Sequence, residues 1–357
     1  MAFRKQGTEN RTVDHLMKRW LPTVLMALIV FVSCSTDVDI YADYKDTTVI
    51  YGLIDARADT NYVKITRAFC GTNDNPINAF EVAPIYDSSN YPDKLDAYFL
   101  ELKSSQGQQY QPTGRMFLLD TLTIHNKKEG VFYAPHQKLY YTTERFKTNI
   151  GSDKYRYRLY VIKPDYDTVT TEIGIVNGDI RISSPLVNFQ AYPTHTSSYL
   201  IFNSTEEAIL YEIGMRFNYW EGHSDQPMEK KEVSWSYSPK TIGMYEKVPN
   251  TDNLYRAYYS PNTLFNVLER VIGNDTSNVT RYIDNFVVTI AAVGEDFNAY
   301  YQFLQTASNN LTSSTEYSNI QGGYGILSSR IYVSQEAQLS SGTKLDLFRK
   351  PWGFQEH

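Results

Sequence analysis

The sequence predicts a mainly β protein: an N-terminal immunoglobulin-like β-sandwich followed by a second β-rich domain of α+β character with about two helices. Three observations carry this. Tyrosine is the compositional outlier, at 30 of 357 residues against 17 Phe and 4 Trp, and its ring with a polar tip suits a pleated, half-buried surface. Short segments alternate apolar and polar residues with the period of two that a strand requires. Turn clusters rich in Gly, Pro, Asn and Asp separate these segments at the spacing of a sandwich.

The first element is a leader. Residues 21–32 (LPTVLMALIVFV) are apolar apart from Pro22 and Thr23. At about 1.5 Å per residue they cannot cross about 30 Å of hydrocarbon. They have the length of a signal-peptide core, and Lys18 and Arg19 form its positive flank. The run ends at Ser33-Cys34, a small residue before a thiol, which is what lipoprotein processing needs. Residues 1–33 are therefore expected to be a signal peptide and Cys34 its lipidation site. Residues 1–16 carry Arg4, Lys5, Glu9, Arg11 and Asp14 and have no apolar face, so translation is expected to start at Met17. Residues 34–46, with Asp37, Asp39, Asp43 and Asp46, read as a lipidated tether.

Without the leader the body holds 29 Lys and Arg against 38 Asp and Glu, a net charge of −9. That balance excludes nucleic acid, whose phosphates demand a basic footprint. Cys70 is the only other cysteine. With Cys34 lipidated, no disulfide is expected.

The first domain is expected over 47–184. Residues 48–54 and 62–69 alternate as strands around a turn at 56–61. A polar loop, 71–93, then runs longer than compact domains usually allow without a purpose. Strands follow at 94–103, 155–162 and 168–176, with weaker candidates at 130–133 and 139–143. Ser183-Ser184-Pro185 marks the boundary.

The second domain is expected over 185–335, with strands at 198–203, 209–220 and 233–237. A helix near 261–272 has Ser260 as N-cap, Pro261 at its first position and an apolar stripe of Leu264, Leu268, Val271 and Ile272. Residues 286–293 (FVVTIAAV) read as a buried strand. A second helix near 295–307 buries Phe297, Tyr300, Tyr301 and Leu304. A strand returns over 319–333 through Gly322-Gly323-Tyr324-Gly325, and 336–357 reads as a C-terminal tail.

Motifs for chemistry are sparse. The histidines at 125, 136, 195, 223 and 357 show no HxH or HxxxH spacing, so no metal or other cofactor is expected. There is no GxSxG, SxxK or HExxH. Asp165-Tyr166-Asp167 and Asn274-Asp275 read as turns. The glycines at 322–325 lack the Lys-Ser/Thr of a phosphate loop and mark a backbone bend or a close approach to another chain. A glycosidase pair drawn from Glu81, Asp87, Asp93 and Asp96 is the remaining catalytic candidate; the expectation is a protein that is not an enzyme.

Several motifs together resemble the Bacteroidota outer-membrane lipoproteins of domain-of-unknown-function family 4249. They are Cys34 after a short leader, Tyr51-Gly52-Leu53-Ile54-Asp55, Tyr62-Val63-Lys64-Ile65-Thr66-Arg67, Glu295-Asp296-Phe297-Asn298-Ala299-Tyr300-Tyr301 and the stretch Ser318 to Leu327. The resemblance implies an outer-membrane, lipid-anchored protein facing the cell surface. It also implies a partner, a SusC-like TonB-dependent β-barrel, together with other surface lipoproteins. The expected role is a non-catalytic subunit of such a complex, in nutrient uptake or outer-membrane protein biogenesis; the alternative is a stand-alone glycan or peptide binder. Candidate partner-binding residues are Phe80, Tyr86 and Tyr91 on the long loop, and Tyr219, Trp220, Trp235 and Tyr237 flanking the hydrophilic stretch 221–231, because aromatic anchors within polar rims give interfaces their affinity.

Overall fold

A computed structural model describes residues 47–68, 83–130, 133–165, 167–184, 188–194, 197–223, 227–272, 279–309 and 317–356, and statements on structure concern these. The leader, the tether, Cys34, Cys70 and Phe80 lie outside them, as does the side chain of Tyr86.

Eight strands build the first half: β1 Thr48–Ile54, β2 Asn61–Arg67, β3 Asp96–Ser105, β4 Gln111–Leu118, β5 Asp120–Ile124, β6 Gln137–Thr142, β7 Asp153–Ile162 and β8 Thr168–Gly174. They pair in the orders β1-β2-β6-β5 and β4-β3-β7-β8, the strand arrangement of an immunoglobulin-like sandwich. Alternation fills the space between the sheets: Ile50, Ile54, Val63 and Ile65 from one, Phe99, Phe117, Leu159 and Ile173 from the other. Phe146 plugs the middle, edge-on to Phe99, Phe117 and Tyr157 at 5.2, 5.1 and 4.7 Å between ring centres. Such pairs contribute about 0.5–1.5 kcal/mol each beyond burial.

β4 contains Pro112 and Gly114 and is almost wholly exposed, so it shows no strand pattern in the sequence. It lies at a sheet edge, where proline's missing N–H removes no ladder bond.

The second half contains β9 Ile182–Ser184, β10 Ser198–Asn203, β11 Leu210–His223, β12 Glu229–Ser236, β13 Lys240–Thr241, β14 Glu246–Lys247 and β15 Leu254–Tyr259. Helix α1 Thr263–Ile272, β16 Val279–Val293, helix α2 Glu295–Asn309, β17 Gly323–Ala337, helix α3 Ser341–Arg349 and β18 Phe354–Gln355 complete it. A sheet ordered β14-β15-β10-β9 covers β12-β11-β16-β17. Phe189 stands at the centre of this second core, 4.9 Å from Tyr259 and 4.7 Å from Phe286. Leu264, Phe265 and Leu268 of α1 pack into the same core.

The two sandwiches share one sheet. Residues 323–329 of β17 pair in parallel with β1, and 330–337 pair antiparallel with β16. On β17, Leu327 enters the first core and Ile331 and Val333 the second. All three are odd-numbered, and strand side chains alternate, so both smaller sheets pack on the same face of the long sheet. The cores change over at Ile175 and Val176, where Val176 N donates to Ser329 Oγ at 2.7 Å. Residues 46–357 form one compact unit.

Close approach of β1 to β17 explains the glycine cluster. A Cβ on Gly323 would lie 2.6 Å from Thr48 O, and one on Gly325, whose φ is +109°, would lie 2.0 Å from Ile50 O. The chain approached is this chain's own first strand.

The expected tail at 336–357 is corrected by the structure. β17 runs to Ala337, α3 follows with Ser340 as N-cap, and Leu347, Trp352 and Phe354 are buried in the second core. Arg281 holds this segment, donating to Trp352 O and pairing with Glu221 at 2.7 Å.

Tyrosine abundance has a core explanation as well as a surface one. Several rings lie inside while the hydroxyl reaches a loop backbone at the rim. Tyr140 accepts from Leu95 N at 2.9 Å, Tyr211 accepts from Thr205 N at 3.0 Å and Tyr259 donates to Gln190 O at 3.1 Å. Burial pushes the Tyr211 and Tyr259 hydroxyls up to about 12, so each remains a protonated hydroxyl. In the first sandwich Tyr157 accepts from Lys147 N at 2.7 Å, ten residues upstream, as a tyrosine corner does.

Candidate functional site

The outer face of the long sheet is the side its core residues leave free. On β11 the odd positions Tyr211, Ile213, Met215, Phe217 and Tyr219 enter the core. The even positions Glu212, Gly214, Arg216, Asn218 and Trp220 therefore face outward. Register sets Gly214 opposite Thr289 of β16 and Ser236 of β12, and Arg216 opposite Val287 and Ser234.

Small residues at these positions hollow the face into a groove. It has a volume of about 430 Å³ and is lined by Glu212, Gly214, Arg216, Glu232, Thr289 and Tyr332, among others. A second depression of about 380 Å³ continues from it, sharing Arg216 and Glu232 and adding Asn218, Asn285 and Glu336. Gly214 keeps the floor low, since a Cβ there would lie 2.4 Å from Thr289 Oγ1.

Arg216 is the unusual group. Its Nε is shut off from solvent without a hydrogen-bond partner, and no ion pair of its guanidinium is seen among the described residues. Neighbouring polar groups are already committed: Asn218 Nδ2 donates to Asn285 Oδ1 at 2.5 Å, Asn285 Nδ2 donates to Glu336 Oε1 at 2.6 Å, and Lys230 pairs with Asp284 at 2.8 Å. The groove thus presents an uncommitted guanidinium between two carboxylates, Glu212 and Glu232. Donors and acceptors are spread over four strands, an arrangement that recognises polar groups along an extended surface rather than at one point.

The same outer face carries aromatic rings, Tyr332 at the groove and four others away from it. Trp220 is 38 % exposed, Tyr332 52 %, Tyr324 51 %, Tyr51 46 % and Tyr62 45 %. Tyr51 lies opposite Lys64, and Tyr62 opposite Tyr141 at 6.4 Å between ring centres. Burial and the charge of Lys127 hold the Lys64 amine below the ordinary lysine range.

The sequence candidates divide. Trp220 is on this outer face, 5.9 Å from Lys230 Nζ. Tyr219, one residue earlier, points the other way and is buried against Phe217 and Phe354, so it is corrected from contact residue to core residue. Trp235 and Tyr237 are half-buried against the second core, where Trp235 Nε1 donates to Tyr237 Oη at 3.4 Å. Tyr91 is also corrected: it is buried in the first core, its hydroxyl 2.7 Å from Thr48 Oγ1. Residues 86–89 of the long loop form one helical turn; Phe80 and the Tyr86 side chain lie outside the described residues. Of the acidic candidates, Asp93 and Asp96 are exposed, and Glu81 and the Asp87 side chain are not described.

Alternation in 210–220 was the signal for Gly214 and Arg216, but it says only that they face away from the core. Among the described residues, no group of three or more His, Cys, Asp or Glu is placed to hold a metal, and no helix is long and apolar enough to cross a membrane.

Fold and groove define a class: a double β-sandwich on one shared sheet, whose outer face is polar with scattered aromatic rings and is closed over Ile326 and Ser328 of β17, where Phe297 N of α2 donates to Ser328 Oγ at 3.3 Å. No protein-family model matches the chain, and no curated protein matches it in sequence.

Proposed function

We propose that this chain is a non-catalytic surface lipoprotein, anchored through Cys34, that serves as a subunit of an outer-membrane complex built on a SusC-like TonB-dependent β-barrel. Its role there is nutrient uptake or outer-membrane protein biogenesis. One observation carries the reading: five aromatic side chains, each more than a third exposed, share the outer face of the long sheet. Eight strands at about 4.8 Å spacing make a face close to 38 Å wide. That accommodates the roughly 800 Å² per partner of a standard interface. Rigid aromatic rings on a polar field supply the few anchors, about 2 kcal/mol or more each, that dominate such contacts. The leader ending at Cys34 and the resemblance to family 4249 support the same reading.

The test is a mild-detergent pull-down of the native lipidated protein followed by mass spectrometry. A stoichiometric β-barrel partner is expected; recovery of the protein alone overturns the assignment. The anchor has its own test. Acyl chains hold a protein in a bilayer at about 0.8 kcal/mol per buried CH₂, so Cys34→Ala is expected to yield a soluble or unprocessed form. A variant still cleaved and membrane-bound contradicts lipidation there.

The Arg216 groove favours a second reading, a stand-alone glycan or peptide binder. In that case Arg216→Ala abolishes binding on a glycan or peptide array while the pull-down finds no barrel.

A further inference from the structure

The β5–β6 hairpin ends on two histidines that the sequence separates by eleven positions. Ile124 faces Gln137 at the last paired position, so His125 and His136 stand opposite each other one step further out. Their rings lie 4.3 Å apart between centres, with 77° between planes. Flanking bonds hold the strand ends together: Gln137 Nε2 donates to Asn126 Oδ1 at 2.8 Å, and Lys127 N donates to Pro135 O at 3.2 Å. His125 is exposed and His136 half-buried. Neither ring has a hydrogen bond among the described residues.

We propose that His125 and His136 form a surface site for a divalent late first-row transition ion, copper(II) or nickel(II) in preference to zinc. An imidazole nitrogen binds such an ion at about 2.1 Å and stands about 1.1 Å from its ring centre, which puts each centre about 3.2 Å from the metal. Two centres 4.3 Å apart then subtend nearly a right angle at the ion. Adjacent positions of a tetragonal or octahedral ion meet at that angle, whereas tetrahedral zinc opens it to about 109°. Neutral imidazole is the common nitrogen ligand for these ions, and water fills the remaining positions.

The experiment uses the full chain without a polyhistidine tag. Copper(II) titration is followed by electron paramagnetic resonance, with nickel(II) and zinc(II) compared by calorimetry. One equivalent of copper is expected, with superhyperfine coupling to two imidazole nitrogens, and nickel is expected to bind at least as tightly as zinc. His125→Gln and His136→Gln are each expected to weaken copper binding at least tenfold, while His223→Gln leaves it unchanged. Copper binding of undiminished strength in the His125→Gln/His136→Gln double variant overturns the site. So does a spectrum without imidazole coupling. Zinc binding more tightly than nickel overturns the geometric preference.

Discussion

At the residue scale the first sandwich is closed by a buried charge. Glu101 has no exposed surface, yet it accepts from Arg115 at 3.2 Å, Lys147 at 3.2 Å, Thr113 at 3.0 Å and Tyr157 at 3.1 Å. Removing a partner from a buried pair costs more than the pair contributes, because a bare charge is left behind. Arg115→Ala with Lys147→Ala is therefore expected to cost roughly 3 kcal/mol, the low end for such breakage because both cations are partly wet. Glu101→Gln is expected to cost less. Urea denaturation decides it; a Gln variant weaker than the double alanine variant contradicts the account. Asp296, in the first turn of α2, behaves oppositely. Burial holds its carboxyl above the usual carboxylate range, against hydrogen bonds from Asn319 and Tyr317, and Glu295 adds to the rise. A carboxyl with a raised folded pKa binds more protons folded than unfolded, so its contribution to stability falls as pH rises from about 4 toward 7. Asp296→Asn is thus expected to gain on the parent protein over that interval in thermal unfolding, whereas parallel curves would refute the assignment. Neither residue stood out in the sequence. A Glu in a strand reads as solvent-facing, yet Glu101 lies in phase with Ala97 and Phe99, the core-facing residues of β3.

At the element scale, what was legible followed the clarity of alternation. Residues 48–54 and 198–203 match β1 and β10 end to end, because each has one buried and one wet face. The helix expected near 261–272 is α1; Leu264, Leu268 and Ile272 of its expected stripe are buried, whereas Val271 is exposed. β4 and β15 gave no comparable signal. The first carries Pro112 and Gly114 at an edge, and the second, LYRAYY, has a tyrosine on both faces. In the C-terminal segment α3 buries only Thr343 and Leu347, too narrow a stripe to distinguish from a tail. The Gly322–Gly325 run was correctly a matter of backbone, but its partner was invisible, because β1 lies some 270 residues earlier. That contact makes a sharp expectation. Gly325→Ala places a Cβ into Ile50 O at positive φ and is expected to cost more than about 4 kcal/mol or to abolish folding. Gly107→Ala, also at positive φ but with open space around it, is expected to cost only about 1 kcal/mol. Similar losses in thermal unfolding would mean that the β1–β17 junction tolerates separation.

At the scale of the whole molecule, two cores were foreseeable from chain length, but their junction was not. The boundary expected at Ser183-Ser184-Pro185 is corrected: the cores change over at Ile175 and Val176, and Ser183 and Ser184 belong to β9, inside the second sandwich. Sequence punctuation carries no information about β17, which returns from the end of the chain to pair with its beginning. That return makes one long sheet serve both sandwiches and gives it an outer face that carries five exposed aromatic rings. Of the five aromatic candidates whose side chains are described, only Trp220 is on that face; Tyr51, Tyr62, Tyr324 and Tyr332 had passed as ordinary strand residues, since alternation alone does not say which face a partner covers. The central claim is that this face makes the contact with the barrel. The most direct measurement is quantitative co-purification, in mild detergent, of the native protein, a Tyr51→Ala/Tyr62→Ala/Tyr324→Ala variant and a Tyr199→Ala/Tyr258→Ala variant, whose substitutions lie on the exposed face of the β10–β15 pair. With all three folded and lipidated, the triple variant is expected to recover less than about a tenth of the barrel, the loss corresponding to about 1.4 kcal/mol or more, while the double variant recovers it fully. Full recovery by the triple variant would contradict the claim.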